Sequence, residues 1–155
     1  NLKNVNKNFY TSYSYNSENK INEFQTLFLK KIALENKNEN YHIFFSSQMS
    51  MSYLSIYNKD IFYRNIKNFR KPIDQIGVID TDLITFNKKF KNYYLYSILP
   101  INVRLDDEYH FEQFKKKYKQ FNSCNLTIEP NLSNKIQLLN AIYMHKFYKL
   151  DCSSS

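Results

Sequence analysis

Apolar positions fall at helical spacing in some parts of the chain and at strand spacing in others. Ile21, Phe24, Leu27, Phe28 and Ile32 recur every three or four residues and predict a helix over 21–34. The polar run 35–40 ends it. Residues 41–58, YHIFFSSQMSMSYLSIYN, are aromatic and β-favouring with serine punctuation. They predict at least one strand, placed over Tyr53–Tyr57. Ile61, Phe62, Ile66 and Phe69 form a second helical stripe that starts near Asp60 and stops at Pro72. Beyond Gly77, residues 78–86 alternate apolar and polar side chains. Residues 87–92 are a basic interruption, and NYYLYSILPINV, residues 92–103, is a second β-rich run. Further on, Pro130, Asn131 and Ser133 supply helix-start chemistry for a stripe of Ile136, Leu139, Ile142 and Tyr143. Residues 146–152 read as a short terminal strand, and residues 1–20 as an arm.

One stretch supports two periods. In EYHFEQFKKKYKQF, residues 108–121, Phe111, Phe114, Tyr118 and Phe121 share a helical face. As a strand, the same residues would turn alternate lysines outward. The order from residue 50 is thus strand, helix, strand, an ambiguous segment, helix, strand. If the ambiguous segment is a strand, two βαβ units close into an α+β, ferredoxin-like βαββαβ sandwich.

Composition narrows the partners more than the fold. The chain has 155 residues and is 43% hydrophobic, with 13 Phe, 14 Tyr, one Gly and no Trp. That length suits one domain with an extension: residues 1–48 as the extension carrying one helix, and 49–152 as the domain. The bias to Asn, Lys, Ile and Tyr suggests an AT-rich genome. A net charge of +8 and a pI near 9.3 favour an anionic partner. No stretch approaches the roughly 18 consecutive apolar residues of a membrane span, so no membrane partner is expected. The chain opens on Asn1, from which we expect a processed start.

Candidate chemistry is sparse. Asp80 and Asp82 would face the same way on a strand, as a Mg²⁺ pair requires, but no third carboxylate motif follows. An exposed strand edge is the plainer reading. A glycine-rich phosphate loop is ruled out by the single glycine. His42, His110 and His145 are isolated, so we expect no catalysis, cofactor, metal or small-molecule substrate. Cys124 and Cys152 lack metal-ligand spacing. Two free thiols are the expectation, and a disulfide in an oxidising compartment is the alternative. Interleaved lysines and rings at 87–92, 114–121 and 143–149 suit RNA, because lysines neutralise phosphates and rings stack on bases.

The order of elements from about Met51 to Asp151 resembles ribosomal small-subunit protein ten, the S-ten family. YLSIYNKDIFYRNIKNF stands where that family has its first strand and long helix. KKFKNYYLYSILPINV has the basic turn and hydrophobic segment, with Ser97, Pro100 and Val103 in place of Ser-Pro-His-Val. Phe111-Glu112 matches an aromatic-Glu pair, and Lys115–Lys117 fall on its basic cluster. TIEPNLSNKIQLLNAI fits the Pro-containing loop and final helix. The Ser-Pro-His-Val motif is split by an insertion, and the family's Arg-Thr-His is missing.

That resemblance implies a structural constituent of a small ribosomal subunit in the mitochondrial matrix. Its partners would be ribosomal RNA and neighbouring ribosomal proteins, and its fold a ferredoxin-like body with a long β-hairpin. Lys88, Lys89, Lys91, Arg104, Lys115, Lys116 and Lys117 would neutralise phosphates, with Phe90 and Tyr93 packed beside them. It also favours the strand reading of 108–121, which we adopt as the expectation. The alternative function is an exported or secreted protein-interaction module, suggested by the two cysteines, the serine-rich tail and the start at Asn1. Another organelle is the alternative location. For the helix over 21–34, its apolar face predicts packing on the domain's own sheet or on a neighbouring protein.

Overall fold

The structure is a computed structural model that describes residues 17–37, 41–58, 90–102, 106–138 and 140–152. Its described elements are α1 (Ser17–Asn36), β1 (Tyr41–Phe45), α2 (Gln48–Tyr57), β2 (Asn92–Pro100) and α3 (Asp107–Lys117). A 3₁₀ turn (Lys119–Phe121), β3 (Cys124–Ile128), β4 (Asn134–Leu138) and β5 (Ala141–Cys152) follow. The class is mixed α/β, with a five-stranded mixed sheet.

The strand order is β1-β2-β5-β3, and β4 also pairs with β5. β1 lies parallel to β2, whereas β5 is antiparallel to β2, β3 and β4. β3 and β4 occupy the same side of β5, one beyond the other. Cys124 to Ile128 pair with Cys152 to Tyr148, and Asn134 to Leu138 pair with His145 to Ala141. Residues 129–133 bulge between them, so β3 and β4 form one interrupted strand of a hairpin with β5.

Alternation along the strands sorts the core into two clusters, one on each face. Tyr94, Tyr96, Ile98, Tyr41, Phe45, Ile136 and Phe147 pack under α1 and α2, through Ile21, Phe28, Leu29, Ile32 and Leu54. Tyr93, Leu95, Phe44, Tyr148, Leu150 and Cys124 pack under α3, through Phe111, Phe114 and Phe121. Helices thus cover the sheet on both sides, α1 and α2 on one face and α3 on the other. α1 meets its own sheet, as its apolar face predicts. The expected boundary between residues 48 and 49 falls within α2, which shares its cluster with α1.

Three expected elements change type. Residues Tyr53–Tyr57 belong to α2, and the strand of that region is β1. Ser47 caps α2, its side chain accepting from Ser50 N at 3.2 Å, and Ser50 and Leu54 face inward four residues apart. Residues 108–121 form α3 and its 3₁₀ turn, not a strand. Asp106 caps that helix by accepting from Tyr109 N at 3.0 Å, with acids in the first turn and three lysines in the last. The expected final helix over 130–143 is the β4–β5 hairpin instead. Ile136 and Leu138 point inward at period two, and Leu138 pairs with Ala141 of β5. Pro130 and Asn131 act in the bulge and not at a helix start.

Among the described residues the βαββαβ order is not seen. The second helix of that pattern is a hairpin strand here, and its third strand is α3. The expected strand over 146–152 is confirmed within the longer β5, and the β-rich run 92–103 contains β2. The helix expected over 60–69, the strand over 78–86 and most of the N-terminal arm lie outside the described residues. So does the first arm of the expected long β-hairpin.

Candidate interaction surface

α3 descends from the end of β2 toward its start. Asp107 at its head touches Ser97, and Phe121 beyond its tail meets Tyr93 with ring centroids 4.9 Å apart. Tyr93 stands two residues from Lys91, so Lys91 and the lysines ending α3 come to the same end of one sheet face. Lys91, Lys116, Lys117 and Lys119 are exposed there. Lys116 and Lys117 lie in the last turn of α3, where positive charge is electrostatically favourable.

Lys115 is not part of that exposed set. Its Nζ lies 2.8 Å from Glu112 Oε1 and 3.1 Å from the Cys124 carbonyl, and sits over the Phe111 ring at 5.3 Å. With 12% of its side chain exposed, it ties α3 to β3. Lys117 Nζ lies 5.9 Å over the Tyr118 ring. Phe90 and Tyr93 are buried in the core cluster under α3, so neither ring is presented to a base. Lys88, Lys89, Arg104, Asp80 and Asp82 lie outside the described residues.

The chemically richest groups are enclosed. Asp107, 3% exposed, accepts from Ser97 Oγ at 2.7 Å and from Tyr148 OH at 3.1 Å. Burial pushes its carboxyl above the usual range, while the Ser97 and Tyr148 hydrogen bonds and the Lys146 charge pull it back. Ser46 Oγ donates to Ser97 Oγ at 3.0 Å and lies 2.8 Å from Ser50 Oγ. Ser50 Oγ in turn accepts from Ile98 N at 2.9 Å. This buried chain links both helical layers through the sheet. Ser97 and Asp107 are both buried.

Across the sheet, Gln25 Nε2 donates to Tyr96 OH at 2.7 Å, and that hydroxyl lies 2.7 Å from His145 Nε2. His145 is fully enclosed and its Nδ1 has no hydrogen-bond partner among the described residues. Burial drives its pKa down to about 3, and does the same to His42 among the rings of Phe44 and Phe90. At the other end of α1, Glu35 accepts from Tyr94 OH at 2.6 Å and pairs with Lys149. Burial alone would raise the Glu35 pKa, but its hydrogen bonds from Lys149 and Tyr94, with the nearby lysine charges, leave it lowered. His110 lies half-buried on α3 beside Tyr109.

Cys124 and Cys152 form a disulfide across the β3–β5 register, correcting the expectation of free thiols. Among the described residues no three His, Cys, Asp or Glu side chains gather to hold a metal ion, and no helix is long and apolar enough to cross a membrane. The buried Asp107 and Ser97 went unassigned from sequence. The signal available for Asp107 was Asp106-Asp107-Glu108 ahead of an aromatic stripe, a helix-start pattern. Comparisons with protein-family models, curated proteins and solved structures found no match.

Proposed function

We propose that the chain is a non-catalytic binding module of the exported or secreted class, acting in an oxidising compartment by contact with a protein partner. The Cys124–Cys152 disulfide carries this reading. Disulfides persist where the compartment is oxidising and are rare among reduced intracellular proteins. An organellar ribosomal protein has little use for one. Exposed apolar side chains on the helices supply contact surface: Leu34 is 82% exposed, Ile56 66% and Leu27 46%. The enclosure of Asp107, His42 and His145 favours binding over acid–base chemistry.

The second reading is the S-ten-like constituent of a small, mitochondrial ribosomal subunit. It is favoured by the gathering of Lys91, Lys116 and Lys117 at one exposed end, a placement suited to phosphates. A ferredoxin-like domain belongs with that reading. It draws less support than the first, because α2, α3 and the β4–β5 hairpin each replace an element on which the resemblance relied.

One preparation separates the two. Native protein is alkylated without reduction, weighed intact, and sedimented through a density gradient. A disulfide-linked chain travelling apart from ribonucleoprotein supports the first reading. Two alkylated thiols on a chain that co-sediments with a ribonucleoprotein particle would overturn it in favour of the second.

A further inference from the structure

We infer that Asn125 and Asn131 are acceptors for N-linked glycans. The inference rests on the export reading above, since the transfer machinery belongs to the secretory route. Asn125-Leu126-Thr127 and Asn131-Leu132-Ser133 are the two Asn-X-Ser/Thr sequons of the chain, six residues apart, although asparagine is abundant throughout. An asparagine-rich sequence makes such triplets by chance, so placement has to decide. A usable acceptor lies on a surface segment of a secreted protein.

Both sites meet that condition. β3 alternates, with Cys124 and Leu126 turned to the core cluster under α3 and Asn125 and Thr127 exposed. Asn131 stands exposed on the bulge, where the Glu129 carbonyl accepts from Leu132 N at 3.2 Å and from Ser133 N at 3.0 Å. Neither asparagine side chain has a hydrogen-bond partner among the described residues, so a sugar displaces no contact there. The Ser133 hydroxyl accepts from Phe147 N at 3.2 Å in the finished fold. Transfer at Asn131 therefore precedes the docking of β5.

The chemistry is an ordinary group transfer. The amide nitrogen of asparagine forms a bond to the anomeric carbon of an oligosaccharide carried on a lipid pyrophosphate. The bond from that carbon to the pyrophosphate oxygen breaks, the lipid pyrophosphate leaves with the electron pair, and the amide gives up one proton. The consequence is structural as well. Among the described residues β3 pairs with β5 alone, leaving its outer edge as a sheet margin. Glycans at Asn125 and Asn131 would shield that margin from a further strand and confine partners to the helical surfaces or the basic end.

The test uses native protein, weighed without reduction before and after peptide N-glycosidase F, with peptide mapping of Asn-to-Asp conversion. A disulfide-linked chain that loses sugar mass, with conversion at both asparagines, is the expected result. A disulfide-linked chain unchanged by the enzyme overturns the glycan assignment and leaves the export reading standing. Free thiols with no sugar overturn both. Conversion at one position alone overturns the assignment of the other. In secreted chains from eukaryotic cells, N125Q and N131Q should each remove one mobility step, and the double variant should be insensitive to the enzyme. Unchanged mobility in variants that retain the disulfide would contradict the inference.

Discussion

Acidification from about pH 7.5 to about pH 5 should cost the fold roughly 4 kcal/mol, because two histidines are buried neutral. His42 and His145 have folded pKa values of about 3 against an ordinary 6.5. Between those limits the unfolded chain binds more protons than the folded one, so stability is complete above pH 6.5 and falls as pH drops toward 3. From 6.5 to 5 is 1.5 units, worth about 2 kcal/mol for each histidine at 1.36 kcal/mol per unit. Glu35, whose pKa is lowered, adds to the loss below its ordinary 4.5. Asp107 works the other way: its raised pKa makes the protonated form the better folded one, so it regains stability as pH falls. Two enclosed imidazoles outweigh one carboxyl, and the net sign is loss. Urea unfolding followed by tyrosine fluorescence at several pH values measures it. His145→Phe should roughly halve the pH dependence. Stability independent of pH across this range would refute the neutral burial of both rings.

Reducing the Cys124–Cys152 bond, which spans 28 positions, should lower stability by about 3.6 kcal/mol on the loop-entropy relation, and Tm by roughly 7–14 °C in a calorimetric scan. An unchanged Tm under reductant would mean the bond constrains nothing. Replacing Lys116 and Lys117 by Gln should weaken retention on a polyanion and lower its salt dependence, with only a small fall in Tm from the lost charge at the end of α3. Lys115→Gln should do the reverse, lowering Tm with little change in retention. Lys37 follows α1 at φ 52°, a left-handed position that favours glycine, so Lys37→Gly should raise stability by about 1 kcal/mol in urea titration. A loss would show that the lysine side chain contributes more there than its backbone costs.

Legibility in the sequence followed how many signals agreed at each segment. α1 was readable because its stripe of Ile21, Phe28 and Ile32 has one period and a polar stop. β2 was readable because a nine-residue aromatic and aliphatic strand has no helical competitor. Over 108–121 the helical period and the charge order agreed, and the family resemblance outweighed them wrongly. In 134–138, Ile136 and Leu138 could belong to either period, and what selects the strand is the partner β5, which no local pattern reveals. The basic cluster at 115–117 was visible in the sequence. The inward turn of Lys115 was not, since it depends on the Cys124 carbonyl arriving from another element.

β5 bears on how the chain comes off the ribosome. It lies inside the sheet, hydrogen-bonded to β2 on one side and to β3 and β4 on the other, yet it is the last described element to be synthesised. Phe147 belongs to one core cluster and Tyr148 to the other, so neither can be completed until this strand has emerged. β1 and β2 must wait with their aromatic faces open, and most strand pairing forms late. Vectorial synthesis therefore gives this fold little head start. We expect nascent chains stalled before Ala141 to need a holding chaperone, and release of β5 to complete the sheet in a single cooperative step.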